Sequence, residues 1–177
     1  MKKRKLKDTL NFSLYLLAIF LTCFCVIKFV GQRTEVIGRS MEPTLTDGDN
    51  LLVDKFSYLI LDPKRFEIIV FPHRYRANAY YIKRVIGLPG ETVYIDPHGN
   101  VYVDDVIIKE DYIKDTVLEA GLAMIPITLG EDEYFVMGDN RNNSIDSRST
   151  QVGIVKREEI SGRAIMRVWP LNGLKFL

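Results

Sequence analysis

The segment LNFSLYLLAIFLTCFCVIKFV, residues 10–30, constrains this chain more than any other. It carries one formal charge, Lys28, near enough to its end for the amine to snorkel to a headgroup layer. About 20 apolar residues suffice for one helical crossing of a bilayer. The nine residues before it, MKKRKLKDT, hold five basic side chains and one acid. Basic residues stay on the cytoplasmic side, so the N-terminus is expected inside and everything after Gly31 outside. A cleaved secretory signal needs small residues at a cut site after the run, and FCVIKFVGQRTE has none in an Ala-x-Ala arrangement. Thr22 before Cys23 is a poor match to a lipoprotein signal. The expectation is a retained single anchor over residues 10–31 behind a basic cytoplasmic tip, 1–9.

The basic tip takes five of the chain's 24 Lys and Arg and one of its 23 Asp and Glu, which leaves a formal −3 on the remainder. A mildly acidic body argues against nucleic-acid binding, which needs a basic face on the folded part. Both cysteines, Cys23 and Cys25, fall inside the apolar run and read as apolar thiols. The outer part therefore has no disulfide of its own. Roughly 145 residues remain, 32–177, enough for one domain with its own core.

Strand signals dominate that domain. NLLVDK (50–55), EIIVF (67–71), YYIKRVIG (80–87), ETVYI (91–95), NVYVD (100–104), EYFVM (133–137) and GRAIMRVW (162–169) are short and rich in β-branched and aromatic residues. Turn sequences separate them: TDGD (46–49), DPK (62–64), LPGE (88–91) and DPHGN (96–100). DPHGN between two alternating runs predicts a hairpin. FSYLIL (56–61) reads as a short helix or an apolar loop, and KREEI (156–160) as one helical turn. FSYLIL and VWPL (168–171) read as core, with a patch resting on a membrane as the sharper alternative. The fold class predicted is mainly β on a single membrane helix.

Chemistry gathers at three places. In VIGRSMEPTL (36–45), Gly38 permits close backbone approach and Pro43 restricts Glu42, so Ser40 can be held in one direction. Taken alone this stretch is as well described as a serine–threonine turn. In YIKRVIGLPGE (81–91) a strand puts Lys83 on one face and Arg84 on the other, each between apolar neighbours. Alternation does not say which is buried, and one of the two could point outward at an edge. Chemistry favours Lys83, because arginine stays protonated whereas a desolvated lysine can become neutral and accept a proton. A Ser–Lys pair is a known variant of Ser–His–Asp catalysis, and it leaves His73 and His98 as bystanders. The third stretch, VMGDNRNNSIDSRS (136–149), packs Asp139, Arg141, Asp146 and Arg148 around Ser144. It fails as a calcium loop, since Arg141 occupies a ligand position and no glutamate follows at the twelfth. The sequon at Asn142 reads as coincidental.

SMEPTL (40–45), GDNLLVDK (48–55), YIKRVIGLPGE (81–91) and GDNRNNSIDSR (138–148) resemble, in order, the sequence boxes of bacterial type I signal peptidases. The tail GIVKREEISGRAIMRVWPL resembles that family's last strand. The resemblance covers nearly all of the chain beyond the anchor. It implies a β-rich catalytic core, with Ser40 as the acylated nucleophile and Lys83 as the general base. It implies further that Met41 packs beside the nucleophile and that the Ser144 hydroxyl orients the lysine amine. Asp139, Asp146, Arg148 and Arg84 are implied to brace the site through ion pairs. The implied substrates are exported preproteins, cut after small residues at −1 and −3. No metal or organic cofactor is implied. Some members carry a serine where this chain has Gly38, so the oxyanion is expected to rest on backbone N–H groups or on a water. The short span from Glu91 to Val136 leaves room for only a small β insertion, about residues 92–133, as in the single-anchor Gram-positive form. The rival from another class is an anchored, catalytically silent module that binds exported chains, which would need neither Ser40 nor Lys83.

Overall fold

The computed structural model describes the backbone of residues 2–25 and 31–177. Its helix α1 (Lys2–Cys25) begins within the basic tip rather than at residue 10. Among the described residues no helix is long and apolar enough to cross a membrane. The last part of the expected anchor, residues 26–30, lies outside the described residues. Residues 11–22 are all exposed, Phe12, Leu14 and Leu16 among them, so α1 presents apolar side chains that the β domain does not cover.

The mainly β expectation holds. Among the described residues twelve strands follow α1: β1 (Gly31–Glu35), β2 (Asn50–Asp54), β3 (Ile68–Pro72), β4 (Tyr80–Gly87), β5 (Thr92–Ile95), β6 (Val101–Val103), β7 (Val106–Ile107), β8 (Ile127–Thr128), β9 (Glu133–Met137), β10 (Val155–Lys156), β11 (Gly162–Trp169) and β12 (Lys175–Phe176). An eight-stranded sheet runs β1-β2-β11-β3-β4-β9-β10, with β12 beside β11. A four-stranded sheet runs β7-β6-β5-β8. All seven runs read as strands from sequence are strands, and the DPHGN hairpin pairs Ile95 with Val101. FSYLIL contains a 3-10 turn, Ser57–Leu59, and KREEI another, Arg157–Glu159.

Three apolar clusters fill the domain. One joins Met41, Leu45, Leu51, Val53, Ile68 and Ile82. A second joins Ile69, Phe71, Val85, Tyr134 and Val136. A third packs the smaller sheet, through Val93, Ile95, Val101 and Val103, on Ile86, Phe135 and Met137. Strand β4 contributes to all three through Ile82, Val85 and Ile86, so it is buried on both faces. That is why neither of its cations reaches the edge: Lys83 is 3 % exposed and Arg84 8 %. The idea that one of them points outward does not survive.

The two apolar runs set aside as core are instead surface. Leu59, Ile60, Leu61, Trp169 and Leu171 are exposed, with only Tyr58 turned in. The 3-10 turn at residues 57–59 packs against β11. Leu59, Ile60 and Leu61 follow the end of β2 that pairs with Arg163, whereas Trp169 pairs with Asn50 at the other end, so the two runs are separate exposed patches.

Candidate active site

Strand β4 is flanked by β3 from Tyr80 to Arg84, but its pairing with β9 starts only at Arg84. On the β9 side the edge at Ile82 and Lys83 is open. The Lys83 amine folds back there and donates to the Ile82 carbonyl at 3.0 Å and to Ser40 Oγ at 2.7 Å. Burial pushes the Lys83 amine down to about 8, against an ordinary value of 10.5, while the carboxylates of Asp146 and Asp139 pull it back up. At pH 7 that raises the neutral share from roughly one in three thousand to roughly one in ten. A neutral amine 2.7 Å from a hydroxyl is placed to take its proton.

Ser40 sits in a tight turn. Met41 beneath it is 1 % exposed, in the cluster with Leu45 and Ile82. The Ser40 carbonyl accepts the Asn140 N–H at 3.1 Å, and Asn140 Nδ2 donates to the Arg39 carbonyl at 3.0 Å. Gly138 lies against this turn. A Cβ there would collide with the Ser40 carbonyl oxygen and with Ser144 Oγ. Gly38 has φ +94°, a conformation that side chains other than glycine's rarely adopt, and its N–H is taken by Asp47 Oδ1 at 2.6 Å. The Ser40 N–H has no hydrogen-bond partner among the described residues.

Two buried, two-pronged ion pairs stand behind the dyad. Arg84 donates to Asp139 through Nε at 2.8 Å and Nη2 at 2.5 Å, and Thr44 Oγ1 donates to the same carboxylate at 2.5 Å. Arg148 donates to Asp146 through Nε at 2.8 Å and Nη2 at 2.9 Å, and the Gly138 N–H donates to Asp146 at 3.0 Å. The four charged residues expected to brace the site thus pair with one another. The Ser144 hydroxyl is buried with no hydrogen-bond partner, so no bond from it to the Lys83 amine is present.

Sequence reading missed several neighbours. Thr44 and Asn140 carry no local signal of their roles. Arg141, in the charged 136–149 stretch, has its side chain buried in an ion pair with Glu110. The Tyr112 ring lies under the Arg84 guanidinium, 4.0 Å from its centre. His73 is closer to the chemistry than a bystander's place suggested: it lines the cleft and stacks on Tyr81, with ring centres 4.5 Å apart. Its Nε2 is 3.0 Å from the Tyr81 hydroxyl, so that nitrogen is engaged. His98 is in the β5–β6 turn.

A cleft of about 930 Å³ opens over Ser40 and Lys83, with Ile37, Tyr81, Ile82 and Ile145 among its walls. Among the described residues no group of His, Cys, Asp and Glu is arranged to hold a metal ion.

A serine hydroxyl, a desolvated lysine amine and an open cleft thus meet at one place. The profile of the signal peptidase, peptidase S26, family matches residues 9–169. A probable signal peptidase I-2 of Synechocystis sp. is 42 % identical over 149 residues, 81 % of this chain, and the match spans 65 % of that relative's length. Signal peptidase I P of Bacillus subtilis subsp. natto is 33 % identical over 181 residues, 98 % of this chain and 96 % of that one. A signal peptidase I crystal structure from Enterococcus faecalis V583 aligns at 37 % identity with a TM-score of 0.46, over 59 % of this chain and 97 % of that one. The chain belongs to the signal peptidase, peptidase S26, family, the bacterial type I signal peptidases, which are serine peptidases.

Proposed function

We propose that this protein removes signal peptides from exported preproteins, cutting after small residues at −1 and −3, with Ser40 as nucleophile and Lys83 as general base. The observation that carries this reading is the 2.7 Å hydrogen bond between a buried lysine amine and Ser40 Oγ. The end of the signal peptide lies extended along the open edge of β4, adding a strand. Neutral Lys83 takes the Ser40 proton as Oγ attacks the scissile carbonyl. The oxyanion rests on the free Ser40 N–H. Lys83 then gives its proton to the leaving amine of the mature chain as the scissile C–N bond breaks, which leaves the signal peptide as an ester on Ser40 Oγ. A water deprotonated by Lys83 releases the signal peptide. Met41 supports the nucleophile from below, and the Arg84–Asp139 and Arg148–Asp146 pairs hold the surrounding loop. Ser144, unpartnered beside Gly138, is the hydroxyl available to orient the amine once substrate enters.

In this reading residues 10–31 are the membrane anchor, with residues 1–9 cytoplasmic and the catalytic domain, 32–177, outside. The exposed apolar side chains of α1 support it, since a helix apolar all round needs an apolar surrounding. The exposed run Leu59, Ile60 and Leu61, at the end of β2 that pairs with Gly31, rests on the bilayer, where the substrate's own apolar segment lies. Sharing one membrane raises the effective concentration of enzyme and substrate.

The test is cleavage of a synthetic preprotein whose signal ends in Ala-x-Ala, by the intact chain in detergent micelles, with the cut mapped by mass. The expected result is one cut after the second alanine, lost in Ser40→Ala. A folded wild-type chain that leaves several such substrates intact contradicts the reading.

A further inference from the structure

We propose that Glu110 is a positioning residue for the Ser40–Lys83 site, acting from the second sheet through Arg141 on the turn that grips the Ser40 backbone. The proposal rests on Ser40 being the nucleophile. Glu110 follows β7, in the charged stretch KEDYIKD (109–115), where a solvated surface is the ordinary expectation. Its side chain is instead 5 % exposed and forms a two-pronged pair with Arg141, itself 1 % exposed. Arg141 Nη1 donates to Glu110 Oε2 at 2.7 Å and Nη2 donates to Oε1. The Tyr112 hydroxyl donates to the same carboxylate at 2.5 Å.

Arg141 closes the turn at residues 138–141. Its Nε donates to the Gly138 carbonyl at 3.2 Å, and its own carbonyl accepts Arg148 Nη2 at 2.6 Å. The residue between, Asn140, holds the backbone of the nucleophile by its N–H to the Ser40 carbonyl and by its side chain to the Arg39 carbonyl. Glu110 is thus two links from Ser40: carboxylate to guanidinium, then turn to nucleophile. A buried ion pair is a weak source of net stability, because desolvation offsets most of its attraction. What a two-pronged pair supplies is orientation, since the planar fork accepts one geometry. Glu110 and Arg141 do not line the cleft, so they do not touch substrate there. Their loss should therefore act on turnover and not on binding. A displacement of order 1 Å in a reacting group can cost about 10²-fold.

The experiment compares full-length wild type, Glu110→Gln and the double variant Glu110→Leu/Arg141→Met in micelles. It reads kcat and KM on the synthetic preprotein, Tm, and amide exchange across residues 138–141. The double variant replaces the pair by apolar groups of similar bulk, a change that is often neutral for folding. The expected result in both is a kcat lower by about 10- to 100-fold with KM within about twofold, and faster exchange at the Asn140 amide. The double variant should hold its Tm while losing kcat, which a merely structural pair would not do. A folded variant with kcat within about twofold of wild type and unchanged exchange at Asn140 overturns the proposal. Wild type and Ser40→Ala run alongside: if wild type itself does not cut, the Ser–Lys reading has failed, and the exchange measurement still decides whether Glu110 holds the turn.

Discussion

Lys83→Arg should be inactive, with kcat/KM lower by about 10⁴-fold or more. The substitution keeps the positive charge and most of the length. What it removes is the ability to be neutral, since a guanidinium does not deprotonate in the working range. Burial lowers the Lys83 amine to about 8, whereas Asp146 and Asp139 oppose that lowering. Wild-type activity should rise with pH and level off above about 8, because only the unprotonated amine accepts the Ser40 proton. The arginine variant should show no such limb at any pH. Kinetics on the synthetic preprotein from pH 6 to 10 check both statements, and retained turnover above about one hundredth of wild type excludes Lys83 as the base.

Asp139→Asn should cost stability by about 3–5 kcal/mol, the usual result of stripping one partner from a buried pair. Arg84 is 8 % exposed, and once the carboxylate charge is gone its cation faces only neutral groups: the new amide oxygen, the Phe66 carbonyl, Thr44 and the Tyr112 ring. Thr44 also loses its charged acceptor. For a chain of this size the loss corresponds to a Tm lower by roughly 10 °C. Glu42→Gln provides the contrast. Its partner Arg39 has a side chain 71 % exposed, and an exposed pair contributes about 0–1 kcal/mol. Thermal unfolding of the two variants side by side should separate them clearly; equal Tm values would mean that the Arg84–Asp139 pair is no brace. Activity of Asp139→Asn below its Tm carries a second expectation. Asp139 raises the Lys83 amine, so its loss should move the acid limb of the pH profile downward.

Much of the fold was legible because the long strands carry period-2 patterns with turn residues between them. β11 alternates in burial over its first four residues, and β4, buried on both faces, was legible instead from its β-branched and aromatic content. The strands that escaped notice lack such a signal. β7, β8, β10 and β12 are two residues long, and β1, GQRTE, is polar and defined only by its pairing with β2. In the site, Ser40 and Lys83 were found from residue chemistry and family resemblance together. Their neighbours were partly hidden by distance along the chain. Arg141 and Glu110 are 31 positions apart, and each alone looks like surface charge. Local pattern also could not foresee that both cations of β4 are buried, because that depends on cover from three separate clusters. The apolar runs at 56–61 and 168–171 show the converse, hydrophobic sequence left exposed.

The base role of Lys83 stands or falls on the charge state of its amine. Protein labelled with ¹³C at lysine Cε, with the Lys83 signal assigned by its absence in Lys83→Met, allows that amine to be titrated alone by NMR. A midpoint near 8, well below the ordinary 10.5, is the result required by a buried lysine that takes the proton of Ser40. A midpoint at the ordinary value would leave the amine charged at working pH and contradict the Ser–Lys mechanism.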